Sequence, residues 1–193
     1  MGSQRNCLLL LCALGISAAQ AGDDVEQRKQ AAVAATKGLV QQLGGALKKE
    51  MEAGGPAQAI GVCRDLAPKI AGDLSREHGW QVTRVGTRVR NPLLGIPDAW
   101  EQQVLQDFQV RAAAGEAVAD MSFSAVVEEP DGRYFRFLKA IPVQAVCLNC
   151  HGPVEKIPTA VQEQLASHYP MDRAVGYGEG ELRGAVSIKQ PMD

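Results

Sequence analysis

The chain has 193 residues, which is the length of a single domain and is enough to bury a sizeable core. Its residues are 46% hydrophobic, 22% charged and 5% aromatic, a composition that excludes collagen-like, low-complexity and disordered classes. The formal net charge of -2 excludes the strongly basic surface that nucleic-acid binding requires.

Residues 1–21 have the pattern of a secretory signal peptide. Arg5 precedes an apolar run over residues 7–16, and Ala19-Gln20-Ala21 matches the small-x-small rule for cleavage. The apolar run is much shorter than the roughly 20 residues that a membrane-spanning helix needs. We therefore predict cleavage after Ala21, a mature domain over residues 22–193, and a periplasmic or secreted location without a membrane span.

Helical periodicity covers most of the next third of the chain. Apolar residues recur at helical spacing over residues 23–51, and the glycines and proline that follow predict the end of this helix. A second predicted helix covers residues 56–78. Cys63 shares its apolar stripe with Ile60 and Ala67, at steps of three and four residues. We therefore expect Cys63 to point towards the interior.

The rest of the chain is mainly extended. In chain order, the predicted elements are a strand over 80–90, a helix over 97–114, strands over 119–128 and 133–143, a helix over 159–168 and a strand over 184–189. Pro130-Asp131-Gly132 supplies the turn of a hairpin between the two central strands. Helices followed by antiparallel strands predict an α+β fold.

Cys147-Leu148-Asn149-Cys150-His151 has the C-x-x-C-H spacing of a covalent c-type haem attachment site. Two thiols at this spacing form thioethers with the vinyl groups of the porphyrin, and the imidazole that follows binds the iron. A zinc site needs four ligands, and the chain has no second C-x-x-C and no His-x-x-x-His. A redox dithiol or a disulfide is the alternative interpretation. We predict one haem c on Cys147 and Cys150, with His151 as an axial ligand.

The motif does not determine the second axial ligand. The candidates are Cys63, Met51, Met121, Met171, Met192, His78 and His168. Cys63 has the best argument, because a free thiol in an oxidising compartment is a liability unless it is buried or bound to a metal. A small buried cysteine in the core would produce the same sequence pattern, so the position alone leaves this choice open.

Five segments appear in an order that resembles a known family. They are Ala-Ile-Gly-Val-Cys-Arg-Asp-Leu-Ala-Pro at 59–68, Arg-Val-Arg-Asn-Pro at 88–92, Pro-Asp-Ala-Trp-Glu at 97–101, the attachment motif at 147–152, and the residues 176–177 with 180–185. The chain resembles secreted single-haem proteins of PAS-like fold, a module that also forms the extracytoplasmic part of some bacterial sensor kinases. The resemblance implies an antiparallel sheet flanked by helices, with the iron held between His151 and Cys63.

Three further residues are candidate cofactor contacts. Arg88 and Arg90 are expected to pair with the haem propionates, because arginine makes bidentate contacts with carboxylates. Ordinary solvated strand arginines would produce the same pattern. Asn91 either holds a turn through its side chain or orients a ligand.

Two classes of function fit this sequence. A sensor of redox state, or of carbon monoxide or nitric oxide, changes its iron coordination and passes the signal to a separate periplasmic partner. A low-potential electron carrier keeps its ligands, and the near-neutral charge is unfavourable for a strongly steered carrier. A thiolate ligand stabilises ferric iron and predicts a low potential. We identify no paired carboxylates and no base beside an open iron position, so we do not predict an enzyme.

Overall fold

The computed structural model describes the backbone of residues 14–192 and the side chains of residues 22–192. Residues 1–13 of the predicted signal peptide lie outside the described residues. The predicted cleavage after Ala21, and the division of the chain at that point, therefore stay predictions. None of the described helices combines the length and the apolar character that crossing a membrane requires.

The described chain consists of helices and four strands joined by turns and by a longer segment before the last strand. The elements are α1 (Leu14–Gly61), a π-helical turn (Val62–Leu66), α2 (Ala67–His78), β1 (Gln81–Gly86), α3 (Pro92–Gly95), α4 (Ala99–Ala113), β2 (Ser122–Glu129), β3 (Gly132–Pro142), α5 (Leu148–His151), α6 (Thr159–His168) and β4 (Leu182–Met192). Single 3-10 turns lie at Val118–Asp120, Ala145–Cys147 and Val154–Lys156.

The four strands form one antiparallel sheet in the order β1-β4-β3-β2. The predicted hairpin is present, since Glu129 and Gly132 are the last paired residues of β2 and β3. The last strand of the chain lies between the first and the third, so β1 is joined to the β2-β3 hairpin only through β4. The α+β prediction, with N-terminal helices and an antiparallel sheet, is confirmed.

Helices cover both faces of the sheet, as the alternation of side chains along a strand requires. Helices α1 and α2 pack on one face, in a core that contains Leu39, Ile70, Leu74, Val82, Phe135, Phe137, Val186 and Ile188. Helix α4 packs on the other face, in a core that contains Val85, Val104, Leu105, Phe108, Leu138, Ala140 and Ala185. Burying each of the Val, Leu, Ile and Phe side chains among them contributes about 1.5–3 kcal/mol relative to exposing it.

The predicted break between the first two helices is a sharp kink within α1. Gly55 has φ 74°, in the region of positive φ that glycine adopts at little cost. Pro56 follows it and begins the next helical stretch, where its missing N–H is not needed. The kink separates the long N-terminal part of α1 from the stretch that leads to Cys63.

The predicted strand over 80–90 is too long. Strand β1 ends at Gly86, because Gly86 pairs with Gly184 at the last position of the ladder with β4. Beyond it, the chain turns away to the segment before β4, where Arg173 N–H donates to Val89 O over 2.9 Å. The predicted strand over 184–189 is too short, since β4 continues to Met192 alongside β3.

Candidate functional site

The C-x-x-C-H segment follows β3 almost directly and forms a 3-10 turn and the short helix α5. Cys150 packs into an apolar cluster with Ile60 of α1 and the buried side chains of α6. Cys147 packs against a neighbouring cluster that contains Ala174 and Tyr177. Cys63, Cys147 and Cys150 are all free thiols. The motif is therefore fixed between the end of α1, α6 and the segment before β4.

A single backbone carbonyl sets the orientation of His151. Its Nδ1 lies 2.6 Å from Ala174 O, and a carbonyl oxygen only accepts, so Nδ1 carries the proton and donates. This leaves the lone pair on Nε2 available to a metal. Burial lowers the pKa of His151 to about 2, and the charges of Arg90 and Arg183 act in the same direction. The ring is therefore neutral, which is the form that binds metals.

The loop that supplies Ala174 holds the motif through further backbone bonds. Gly176 N–H donates to Gly152 O over 2.8 Å, and Tyr177 N–H donates to His151 O over 2.9 Å. The buried ring of Tyr177 lies edge-on to the imidazole of His151, with 6.2 Å between ring centroids. These contacts position His151 from its backbone and from its ring.

Arg90 joins this loop to the attachment helix. Its Nε donates to Asp172 Oδ2 over 2.9 Å, and its Nη2 donates to the carbonyls of Cys150 and Ala174. Asp172 in turn accepts a hydrogen bond from Ala174 N–H over 2.7 Å. Arg90 is therefore a positioning residue, because it fixes the carbonyl that orients His151. Its predicted contact with a propionate stays a prediction.

Arg88 and Asn91 also make contacts within the protein. The guanidinium of Arg88 donates to Val175 O over 2.9 Å and lies 3.6 Å from the ring centroid of Tyr177. Asn91 Oδ1 accepts from Leu93 N–H over 3.0 Å and caps the N-terminus of α3. Of the two roles considered for Asn91, the structure therefore supports the turn. The predicted propionate contact of Arg88 has no direct test here.

Cys63 lies within the π-helical turn that joins α1 to α2. Ala67 N–H donates to Val62 O, five residues earlier, so this turn contains one more residue than a regular helical turn. Such single π-turns are frequent at functional sites, because the inserted residue changes the direction of neighbouring side chains. Cys63 is partly buried, whereas Arg64 and Asp65 after it are exposed.

Cys63 lies one helical turn after Ile60, which belongs to the apolar cluster that Cys150 packs against. Burial raises the pKa of the Cys150 thiol to about 11, and the neighbouring Cys63 and Cys147 raise it further while Arg90 opposes them. Cys63 also raises the pKa of Tyr169, after burial as the main cause. The π-helical turn and α5 therefore form two sides of one site.

The other candidates for the second axial ligand have different surroundings. Met121 is fully buried in the core under α4, on the face of the sheet away from α1 and α2. Met171 is 68% exposed, and His168 Nε2 lies 2.7 Å from Arg64 Nη1. His78 stacks on Trp80 with 4.5 Å between ring centroids. Of these residues, Cys63 is the one coupled to Cys150.

Two arginines that were not expected from the sequence also belong to this site. Burial is the main cause of a lowered pKa at both Arg84 and Arg183. The charges of Cys63 and Tyr169 oppose this effect at Arg84. The sequence signal that was available for Arg84 is an arginine between Val82 and Val85 in a predicted strand.

A surface groove of about 850 Å³ lies on another side of Tyr177. Its lining includes Thr87, Val118, Glu181 and Leu182. None of the three cysteines lines it, and neither does His151. We therefore place the functional site at the motif and not in this groove.

The sheet with its N-terminal helices, and a C-x-x-C-H segment beside a π-helical cysteine, define a PAS-like domain with a c-type attachment signature. The chain belongs to the Tll0287-like family, whose model matches residues 18–191. It is similar to the crystal structure of the cyanobacterial heme-protein Tll0287, with 29% identity and a TM-score of 0.66, over 86% of this chain and 96% of that one. No curated protein sequence matches the chain.

Proposed function

We propose that this protein is an exported haem protein that senses redox state or a diatomic gas. One haem c is attached through Cys147 and Cys150, with His151 and Cys63 as axial ligands. The observation that carries the proposal is the neutral imidazole of His151, whose Nδ1 is fixed by Ala174 O while Nε2 is free. Membership of the Tll0287-like family supports haem as the cofactor, because Tll0287 is described as a heme-protein.

The donor set fits a porphyrin. Within residues 22–192, no three His, Cys, Asp or Glu side chains come together as a group that could hold a metal ion. A site with only one imidazole and one thiol needs four further donors, and a porphyrin supplies four nitrogens. When bound, the haem supplies one-electron redox chemistry and, once a ligand leaves, a position for a diatomic molecule.

Cys63 is the residue through which sensing would operate. A thiolate favours ferric iron, so the hold of Cys63 on the iron weakens when the iron is reduced. The π-helical turn that carries Cys63 connects α1 directly to α2. Release of the sulfur therefore changes the constraint on the joint between these helices, and a partner protein would read this change.

The first experiment compares the spectra of the native protein and Cys63→Ala. We expect the variant to lose the thiolate features in absorption and in paramagnetic resonance, with the haem still attached. Met171→Ala and His168→Ala are the matched controls, and their spectra should equal that of the native protein. A Cys63→Ala spectrum identical to the native one would contradict this ligand set. The control variant whose spectrum changed would then identify the ligand.

A low-potential electron carrier is the second candidate. Three exposed apolar side chains in segments flanking the site, Val146, Val154 and Met171, favour it, because they offer a docking surface for a redox partner. Carbon monoxide separates the two functions. A sensor that releases Cys63 on reduction should bind the gas and change its spectrum, whereas a carrier that keeps both ligands should not respond.

Export is tested by the mature N-terminus. We expect the haem-loaded protein in the periplasmic fraction or the medium, with Gly22 as its first residue, because the predicted cut follows Ala21. Mass spectrometry of the intact protein measures the cleavage and the added haem together. Uncleaved protein retained in the cytoplasm would contradict this part of the proposal.

A further inference from the structure

Three arginines act on His151, and they differ in how their charges are balanced. Arg90 donates to the carbonyl of Ala174 that His151 also binds, and Arg183 lies beside the ring of Tyr177. Arg84, Arg90 and Arg183 all act to lower the pKa of His151. Arg90 forms an ion pair with Asp172 in which both side chains are about one-tenth exposed, at 10% and 11%. Within residues 22–192, neither Arg84 nor Arg183 is in an ion pair.

The few contacts of these two guanidinium groups leave most of their donors free. Arg183 Nη1 donates to Arg88 O over 3.0 Å, and Arg183 lies 5.5 Å from the ring centroid of Tyr177. The guanidinium of Arg84 has no hydrogen-bond partner among the described side chains and backbone groups. Each guanidinium carries five N–H donors, so both keep donors that no described group accepts.

Arg84 and Arg183 lie on the same face of the sheet. Side chains two residues apart in a strand point the same way, so Arg84 shares its face with Val82, which packs against α1 and α2. A Cβ at Gly86, two residues further, would lie 2.7 Å from Arg183 Nη1. The missing side chain at Gly86 therefore makes room for the Arg183 guanidinium on the face where Arg84 lies and where α1 and α2 carry Cys63.

The charges of this pair are not compensated within the described part of the chain. The charge of Arg84 lowers the pKa of Arg183, and the groups that oppose the effect of burial on the pKa of the two arginines are Cys63, Tyr169 and Tyr177. Burying a charge is costly unless a partner of opposite charge is present. Arg84 and Arg183 are partly buried, so their two guanidiniums favour an anionic group at this position.

We propose that Arg84 and Arg183 bind the propionate carboxylates of the haem. This inference rests on the proposed function. It adds two residues to the propionate contacts predicted for Arg88 and Arg90, which stay predictions and whose guanidiniums also donate to the segment before β4. Carboxylates are the groups that arginine binds through paired hydrogen bonds, and the propionates are the carboxylates that a haem would bring.

The test measures the midpoint potential of the haem-loaded full chain as a function of pH. The proteins compared are the native chain, Arg84→Gln, Arg183→Gln, Arg84→Lys and the exposed control Arg76→Gln on α2, whose side chain is 73% exposed. Intact mass and absorption are recorded first. A native chain without covalent haem would refute the proposed function, whereas loaded protein allows the inference to be judged by itself.

Loss of either guanidinium should give the potential a new dependence on pH. A neighbouring cation lowers the pKa of a carboxylate by about 1–3 pH units, so its removal brings the propionate into titration between about pH 5 and 8. The potential should then rise as the pH falls, because protonation favours the ferrous form. It should also be lower than the native value at high pH, since a positive charge is lost. Arg76→Gln should match the native curve.

Two results would overturn the inference. One is a uniform shift of the potential in both glutamine variants with an unchanged pH profile, which means that the arginines are near the haem but do not bind its carboxylates. The other is a native potential that shifts with added inorganic phosphate at constant ionic strength, but not in Arg84→Gln, which identifies a free anion as the ligand. If the glutamine variants do not load haem, Arg84→Lys decides. It keeps the charge without the planar fork, so haem loading with a native or intermediate pH dependence supports the proposal, whereas failure of this variant to load haem contradicts it.

Discussion

Two groups of arginine packed against the sheet of this molecule differ in how their charges are balanced. Arg136 is 4% exposed and lies among three carboxylates, those of Asp98, Glu101 and Glu129. Arg84 and Arg183, which are partly buried, form no ion pair with a carboxylate within residues 22–192. Removing one partner from a buried ion pair is costly, because the remaining charge is left without compensation. A partly buried charge that has no carboxylate partner favours a ligand that brings the opposite charge.

The balanced group connects α4 to the sheet. Arg136 Nη2 donates to Asp98 Oδ2 over 2.6 Å, and Nη1 donates to Glu129 Oε1 over 3.0 Å. Lys189 Nζ donates to the second oxygen of Glu129 over 2.6 Å. Asp98 and Glu101 also form the capping box of α4. These residues hold the N-terminus of α4 on the edge of β2 and β3.

Removing the centre of the balanced group should have the largest effect on stability. Arg136→Met keeps the volume but leaves several carboxylates without their shared partner, so the free energy of unfolding should fall by about 3–5 kcal/mol. Denaturant unfolding measures it. The control is Arg133→Met on the same strand, where the side chain is 49% exposed and the loss should stay below about 1 kcal/mol. Equal losses in both variants would contradict a central role for Arg136.

The ion pair of Arg90 and Asp172 should have the next largest effect, and it should also change the site. Arg90→Met leaves Asp172 unpaired and releases the carbonyls of Cys150 and Ala174, which should cost about 2–4 kcal/mol. The orientation of His151 should then be less well defined, with a broadened absorption spectrum and less haem incorporated.

A double-mutant cycle separates the pair from its surroundings. Asp172→Asn keeps the shape of Asp172, and with Arg90→Met it should give a coupling energy of about 0.5–3 kcal/mol. A coupling near zero, with a native spectrum in both single variants, would show that the pair does not position His151.

The candidate site also shows how much of the structure could be predicted from the sequence. The attachment motif and α6 were predictable, because residue spacing and helical periodicity are local properties. The role of Ala174 was not, since any residue supplies a backbone carbonyl and only the fold places this one at His151. The π-helical turn at Cys63 depends on a hydrogen bond over five residues, which the apolar stripe alone does not specify.

The partners of the individual arginines could not be predicted from the sequence for a related reason. Arg84 lies in β1, and Arg88 and Arg90 lie in the segment directly after it. The three residues are of the same type. What distinguishes them is whether Asp172, Glu181 or a loop carbonyl lies within reach, and this depends on the segment before β4, more than 80 residues later in the chain. Only the tertiary structure distinguishes Arg88 and Arg90, which have ion-pair partners, from Arg84, which has none among the described residues.

Tyr177 tests the contribution of a neutral group to the same site. Its hydroxyl lies 3.2 Å from Thr87 Oγ1 and accepts from Arg88 N–H over 3.3 Å. Tyr177→Phe removes both bonds and should lower the free energy of unfolding by about 1 kcal/mol, while the ring still packs on His151. The axial-ligand spectrum should not change. Tyr134→Phe, whose hydroxyl is exposed, is the control and should be neutral, so a spectral shift in Tyr177→Phe would mean that the hydroxyl also acts on the iron.

Asn91 should give the smallest effect, and its variant separates a structural role from a ligand-orienting one. Its side chain caps the four-residue helix α3 through Leu93 N–H, so Asn91→Ala should lower the free energy of unfolding by about 0.5–1 kcal/mol. Asn91→Asp keeps an acceptor oxygen at the same position and should restore the native value. The potential and the absorption spectrum should be native in both variants, because the amide contacts α3 and not the site of Cys63 and His151. A changed spectrum in Asn91→Ala that Asn91→Asp does not restore would instead assign Asn91 to the proposed haem site, beside the arginines whose charges are not balanced.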